Sequence, residues 1–156
     1  MPFLTRRELL TRLAVVGPVA LGPSLLRAQT KVAMEVFKDP GCSCCEKWVA
    51  HMGANGFAAT VRNTSDMAPV KKRYKVPTAV ESCHTAIIST FVIEGHVPAE
   101  DVKRLLSTKP AGIIGLAIPG MPASAPGMDV TPFQPYTVLA FDAAGKTTVF
   151  ARHTKA

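Results

Sequence analysis

A single α/β domain is the fold class this sequence predicts, and three observations predict it. Residues 31–63 have the length and order of a strand–helix–strand crossover. Further on, apolar segments read as a strand pair and an amphipathic helix, and the chain closes on alternating segments around Asp142-Ala143-Ala144-Gly145, a hairpin signature. The chain's 156 residues, 47% hydrophobic and 19% charged, suit one core rather than two.

In order, Val32-Ala33-Met34-Glu35-Val36-Phe37 alternates and is rich in β-formers, and Asp39-Pro40-Gly41 turns it. Cys44 to Met52 follows with helix formers and apolar Trp48, Val49 and Met52, closing at Gly53 or Gly56. Ala58 to Arg62 is the next strand. Ser65 or Asp66 caps a short helix through Tyr74, which Lys75-Val76-Pro77 stops. Ser82 to Ile88 and Phe91-Val92-Ile93 read as a strand or strand pair, ending in a turn at Glu94-Gly95-His96. Pro98 opens a helix from Ala99 to Leu106 with Val102, Leu105 and Leu106 on one face. Between Pro110 and Pro135 dense glycine and proline predict a long loop with twin Pro-Gly-Met tripeptides, at 119–121 and 126–128. Tyr136 to Phe141 and Lys146 to Phe150 form the closing hairpin. The order β, α, β, α, β, β, α, followed by loop and hairpin, is that of a thioredoxin-like sheet with helices on both faces.

The first 28 residues read as an address rather than as fold. Arg6-Arg7 precedes an apolar stretch from Leu13 to Leu26, and Leu26-Arg27-Ala28 offers a cut, as in a twin-arginine-like export signal. A retained anchor is the alternative, but Gly17, Pro18, Gly22 and Pro23 interrupt a stretch already short for a membrane span. The expectation is a cleaved signal at 1–28, a metal-binding domain at 29–156 with no stable membrane span, and a periplasmic location. Of the formal charge of +7, the first 28 residues hold +3, leaving +4 downstream. No basic run there exceeds Lys71-Lys72-Arg73, which argues against nucleic-acid binding.

Four cysteines carry the chemistry: Cys42, Cys44 and Cys45 in one cluster, and Cys83 downstream. The cluster stands at a strand-to-helix junction, where a thioredoxin-like domain holds its reactive cysteines. Such a domain opens a core strand, usually at a proline, beside that junction. Taking Pro77 as that position leaves Cys83 roughly 20 Å down an extended strand. Taking Cys83-His84-Thr85 instead sets Cys83 against the cluster, and this alignment is preferred because Thr85 to Ile93 then supplies the strand.

Thiols at a helix N-terminus ionise readily, and thiolates bind soft metals. Cys42 and Cys44 project to one side of a turn, while Cys45 invites bridging between metal ions. Three or four thiolates with methionine and histidine nearby favour Cu(I). Zinc sites use paired ligands at spacings this chain lacks, and familiar iron–sulfur spacings are also absent. A rival from another class is a periplasmic thiol-disulfide oxidoreductase, since Cys42 and Cys45 keep the Cys-x-x-Cys spacing. Two structural disulfides are a third reading, against which the clustering argues because bridges within it close almost no loop. No hydrolytic or transferase signature is present.

His84 adjoins Cys83, so on an extended strand it faces away, and packing competes with ligation. His96, in a predicted turn, is better placed to line the site. Met121 and Met128 lie in the Gly/Pro-rich loop, where thioethers either close over a soft ion or plug an apolar gap. His51 and Met52 sit roughly 10 Å along the helix, too far to share the metal. Trp48 is core.

Together Cys42-Ser43-Cys44-Cys45, Ser82-Cys83-His84-Thr85-Ala86, Glu94-Gly95-His96-Val97-Pro98 and Gly115-Leu116-Ala117-Ile118-Pro119-Gly120-Met121-Pro122 resemble the CopG-type copper-resistance family. The resemblance covers most of residues 31–129. It implies a periplasmic, thioredoxin-like protein whose cysteines hold several copper ions through bridging sulfurs, with Cys42, Cys44, Cys45 and Cys83 as ligands and His84, His96 and Met121 as further motif positions. The chain departs from the family at Ala123 and Asp129, where glycine and glutamate are more usual. The implied partners are copper ions and a periplasmic redox or copper-export protein.

Overall fold

Strands β1 (Val32–Lys38) and β2 (Phe57–Asn63) pair in parallel through helix α1 (Ser43–Ala54), with Val32 opposite Phe57, the crossover expected from the sequence. The computed structural model describes residues 30–128 and 130–155. The export segment expected at 1–28 lies outside the described residues.

Helix α2 (Ala68–Arg73) begins where the Asp66 carboxylate accepts the Ala68 amide at 3.1 Å. A 3₁₀ turn at Thr78–Val80 leads to the hairpin of β3 (His84–Ile88) and β4 (Phe91–Glu94). Helix α3 (Ala99–Thr108) ends at Lys109, which adopts left-handed backbone, and β5 (Ile113–Ala117), β6 (Tyr136–Asp142) and β7 (Thr147–His153) complete the chain. The seven strands form one mixed sheet in the order β2-β1-β3-β4-β5-β6-β7. The strand at the cysteine helix starts at His84, which resolves the two sequence alignments in favour of Cys83-His84-Thr85.

Strand β5 corrects the sequence reading, which took Pro110 to Pro135 as loop throughout. Ile113 to Ile118 is a short, nearly continuous apolar run without alternation, as befits an interior strand covered on both faces. It runs parallel to β4 across α3, so β4-α3-β5 is a second crossover. Gly115 is required there: a Cβ would collide with the Val92 carbonyl oxygen of β4 and the Phe141 ring of β6.

The sheet has a core on each face, which places helices on both sides. Trp48 and Met52 of α1 and Val102 and Leu105 of α3 pack with Met34, Val36, Ala86, Ile88, Ile93 and Leu116. On the opposite face Val76 and Val80, following α2, pack with Val92, Ala117 and Phe141. Neighbouring strand residues divide between the cores, as the two-residue period of a strand requires. Trp48 also donates its indole N–H to the Val97 carbonyl at 2.9 Å, tying α1 to the segment before α3. At the far side Asp101 of α3 accepts from Arg104 at 3.0 Å and pairs with His153 of β7 at 2.7 Å, with the Tyr136 ring stacked on His153.

Replacing Gly115 by alanine forces one of the adjoining strands to shift. The expected cost is about 2 kcal/mol of overpacking, read as a lowered urea midpoint at unchanged slope.

Candidate metal centre

The site lies at one end of the sheet. Strand β1 ends at Lys38, directly opposite the first residue of β3, His84, in the antiparallel register. The Asp39–Gly41 turn carries the chain from β1 into α1, with Cys42 at its N-cap position. The approach to β3 carries Ser82 and Cys83 to the same edge. Two regions far apart in sequence thus meet at the first turn of α1.

There the Sγ atoms of Cys42, Cys44, Cys45 and Cys83 all lie within 4.8 Å of one another. A second set shares two of these atoms: Cys45, Cys83, His84 and His96 likewise offer ligand atoms within 4.8 Å. Cys83 Sγ is 3.4 Å from His84 Nδ1 and 3.2 Å from His96 Nε2, and Cys42 Sγ is 3.6 Å from Cys44 Sγ. His96 Nδ1 contacts the Pro126 carbonyl oxygen at 2.7 Å, so the Gly/Pro-rich loop covers this side. Gly127 makes that approach possible. It has φ +87°, and a Cβ there would fall 2.8 Å from the Trp48 amide nitrogen and 2.9 Å from the Cys44 oxygen.

Two sequence expectations need correction. His84 does not face away from the sulfurs: residue 83 forms a bend ahead of the strand rather than part of it, so strand alternation does not separate the two side chains. The His84 ring is fully buried, 4.3 Å from Trp48 and 5.1 Å from His96 between centroids. The cysteines, expected as four thiolates, are divided: Cys42 and Cys45 form a disulfide with Cα atoms 5.4 Å apart, and Cys44 and Cys83 are free. A four-thiolate site therefore requires reduction of that bond.

Met121, on the Gly/Pro-rich loop, is 43% exposed. Met128 is half-buried against the α1 core and fills an apolar gap. His51 accepts the Ala99 amide at 3.2 Å, at the start of α3. Residues the sequence reading passed over lie behind the pocket: Glu94, Lys71 and Lys38 are all buried. The detectable signal was Glu94, a lone carboxylate closing the apolar run Phe91-Val92-Ile93.

Burial dominates the electrostatics. It pushes the Cys83 thiol from 9.0 up to about 11, with the charge on Cys44 adding to the rise. It also drives His84 well below the ordinary 6.5, reinforced by His96 and Lys71, so its imidazole is neutral at physiological pH. His84 Nε2 is buried with no hydrogen-bond partner among the described residues. The other ring nitrogen, Nδ1, faces Cys83 Sγ at 3.4 Å, so the neutral ring can offer a lone pair on the sulfur side, a donor that soft and borderline metals accept.

A thioredoxin-like α/β domain with a shared sulfur–imidazole pocket is the class this geometry defines. A family model described as "Protein of unknown function, DUF411" matches residues 80–128, the stretch holding Cys83, His84, His96 and Met121. Two solved structures, copper resistance protein CopG in forms 1 and 2, superpose with a TM-score of 0.74 at 39% and 40% identity, covering 79% of this chain and 98% of theirs. No curated protein matches. The chain belongs to the CopG copper-resistance family.

The raised Cys83 pKa carries a direct test on metal-free protein. At pH 9 an ordinary cysteine on the same scale is half ionised, whereas a group at 11 is about one per cent thiolate. Site-resolved alkylation of Cys83 should accelerate as pH rises, with a midpoint near 11; a midpoint at or below 9 contradicts the burial argument.

Proposed function

We propose that this protein acts in the periplasm, holding Cu(I) in a cluster bridged by cysteine thiolates and so contributing to copper resistance. The observation that carries the reading is the convergence of four sulfurs and two imidazoles, from three segments of the sequence, on one pocket. Sulfur and neutral imidazole are soft or borderline donors, which favours the cuprous ion over hard cations. Membership of the CopG family supports copper as the metal. The twin-arginine-like stretch at residues 1–28 supports export, and no helix among the described residues is long and apolar enough to cross a membrane.

Cys42, Cys44, Cys45 and Cys83 would hold the metal once the disulfide is reduced. Cys45 and Cys83 belong to both ligand sets and would contribute to either. His84 and His96 extend the donors inward. Bound copper supplies one-electron redox chemistry, for electron transfer or interconversion of its oxidation states. The chain's own residues exclude water from the inner side, keep His84 neutral, and release the Cys83 proton on binding. A periplasmic redox or copper-export protein completes the cycle.

One observation favours a second reading. The Cys42–Cys45 disulfide sits at the start of α1, where a Cys-x-x-Cys exchanger carries its active bond, with two free thiols beside it. Metal-free protein that cycles a substrate dithiol through this bond would favour the exchanger.

Two measurements test the copper reading. Anaerobic titration of reduced protein should fill the site with Cu(I), and Cys44→Ser should remove at least half of the bound copper; unchanged stoichiometry refutes Cys44 as a ligand. Free-thiol counting should give two thiols before reduction and four after it, with Cu(I) capacity rising in parallel. Equal capacity in both states means that Cys42 and Cys45 do not ligate.

A further inference from the structure

Immediately behind the pocket lies a buried ion pair that metal ligation does not by itself require. Glu94, the last residue of β4, is fully buried, and three donors from three segments converge on its carboxylate. They are the Lys71 ammonium from α2, the Ser82 amide at 2.6 Å and the Thr85 hydroxyl at 2.6 Å. Lys71 is itself buried and also reaches the Thr85 hydroxyl oxygen at 3.4 Å. Two of these donors bracket the metal-binding arm, one just before Cys83 and one just after His84.

The other side of the junction is equally tight. Gly95 follows Glu94 with φ +72°, donates its amide to the His84 carbonyl at 3.0 Å, and leads directly to His96. A Cβ on Gly95 would fall 2.5 Å from Ser82 Oγ and 2.9 Å from the Ile118 oxygen. The end of β4 therefore grips the arm through its carboxylate and lies flush against it through its glycine.

We propose that Glu94, charge-balanced by Lys71, is the positioning residue of the pocket: its carboxylate holds the Ser82 amide on one side of Cys83-His84 and the Thr85 hydroxyl on the other, and so turns both side chains toward the cysteines of α1. The proposal rests on the reading that the pocket takes Cu(I). The bend at residue 83 is the feature to be held, because an extended backbone there directs Cys83 and His84 to opposite faces. A purely stabilising role is a poor explanation, since apolar residues of similar volume often replace a buried ion pair without loss of stability.

That contrast supplies the experiment. Reduced wild-type protein is compared with Lys71→Met/Glu94→Met, which replaces the pair by apolar volume, and with Lys71→Met/Glu94→Gln, which is uncharged but keeps an oxygen for the Ser82 amide. Thermal midpoint, Cu(I) affinity by chelator competition, and the rate of Cys44–Cys83 cross-linking by diamide without metal are read for each. The Met/Met variant should melt within a few degrees of wild type, bind Cu(I) at least tenfold more weakly and cross-link at least tenfold more slowly. The Met/Gln variant should recover most of both losses. Wild-type affinity and cross-linking in Met/Met, or no recovery in Met/Gln, overturns the positioning role. Where Met/Met does not fold, Thr85→Val removes one donor at constant shape; a threefold or greater loss of both readouts supports the role, and a smaller one overturns it. A wild-type protein that takes no Cu(I) overturns the copper reading alone, because cross-linking reports the sulfur geometry independently.

Discussion

The antiparallel register of β1 against β3 is the constraint on which the site depends. With Lys38 opposite His84, the exit from β1 and the entry to β3 share one end of the sheet. The first turn of α1 and the Cys83 arm are then neighbours, although 38 residues separate Cys45 from Cys83. A one-residue slip in that register exchanges the two faces of β3. Ala86 and Ile88 would leave the core they share with Trp48, and the Cys83 arm would shift along the sheet edge. The misfit of exchanging Ala86 and Ile88 with Ile87 between two differently packed faces is what makes the register, and hence the pocket, unique.

Two electrostatic influences meet at the sulfurs with opposite sign. The open amides of the α1 N-terminus favour thiolates, an effect of about 0.3–1 kcal/mol that fades within a turn. Desolvation opposes ionisation, and at Cys83 it wins, pushing the thiol to about 11. The metal-free pocket therefore keeps a proton on Cys83. Under the proposed function a bound cation would displace it, which would link metal affinity to acidity. His84 follows the same logic with the charge reversed, since burial withholds its proton and leaves a lone pair available.

The same sulfurs form the disulfide and the candidate metal set. As a disulfide, Cys42 and Cys45 satisfy each other and leave Cys44 and Cys83 as the free thiols. Their sulfurs lie within 4.8 Å of those of Cys44 and Cys83, so reduction of the bond yields four thiols in one place. The crossover β1-α1-β2 holds these residues on a rigid element, with Trp48 anchored to the Val97 carbonyl one turn further along.

The sequence by itself determined the local elements and the chemical inventory. Alternation from Val32 to Phe37, turn residues at Asp39-Pro40-Gly41 and helix formers after Cys44 are short-range signals, and β1 and α1 formed within two residues of where these signals placed them. The density of cysteine likewise announced soft-donor chemistry without any coordinates. Strand β5 was hidden because an interior strand has no polar face, and proline and glycine on either side masked it. The direction of His84 was decided by a bend at residue 83, which no alternation rule contains. The choice of Cys42–Cys45 as the bonded pair, and the burial of Lys71 against Glu94, depend on distances between segments far apart in the chain. Only the tertiary structure decides these, because pairing, burial and desolvation are properties of neighbours in space, whereas periodicity is a property of neighbours in sequence.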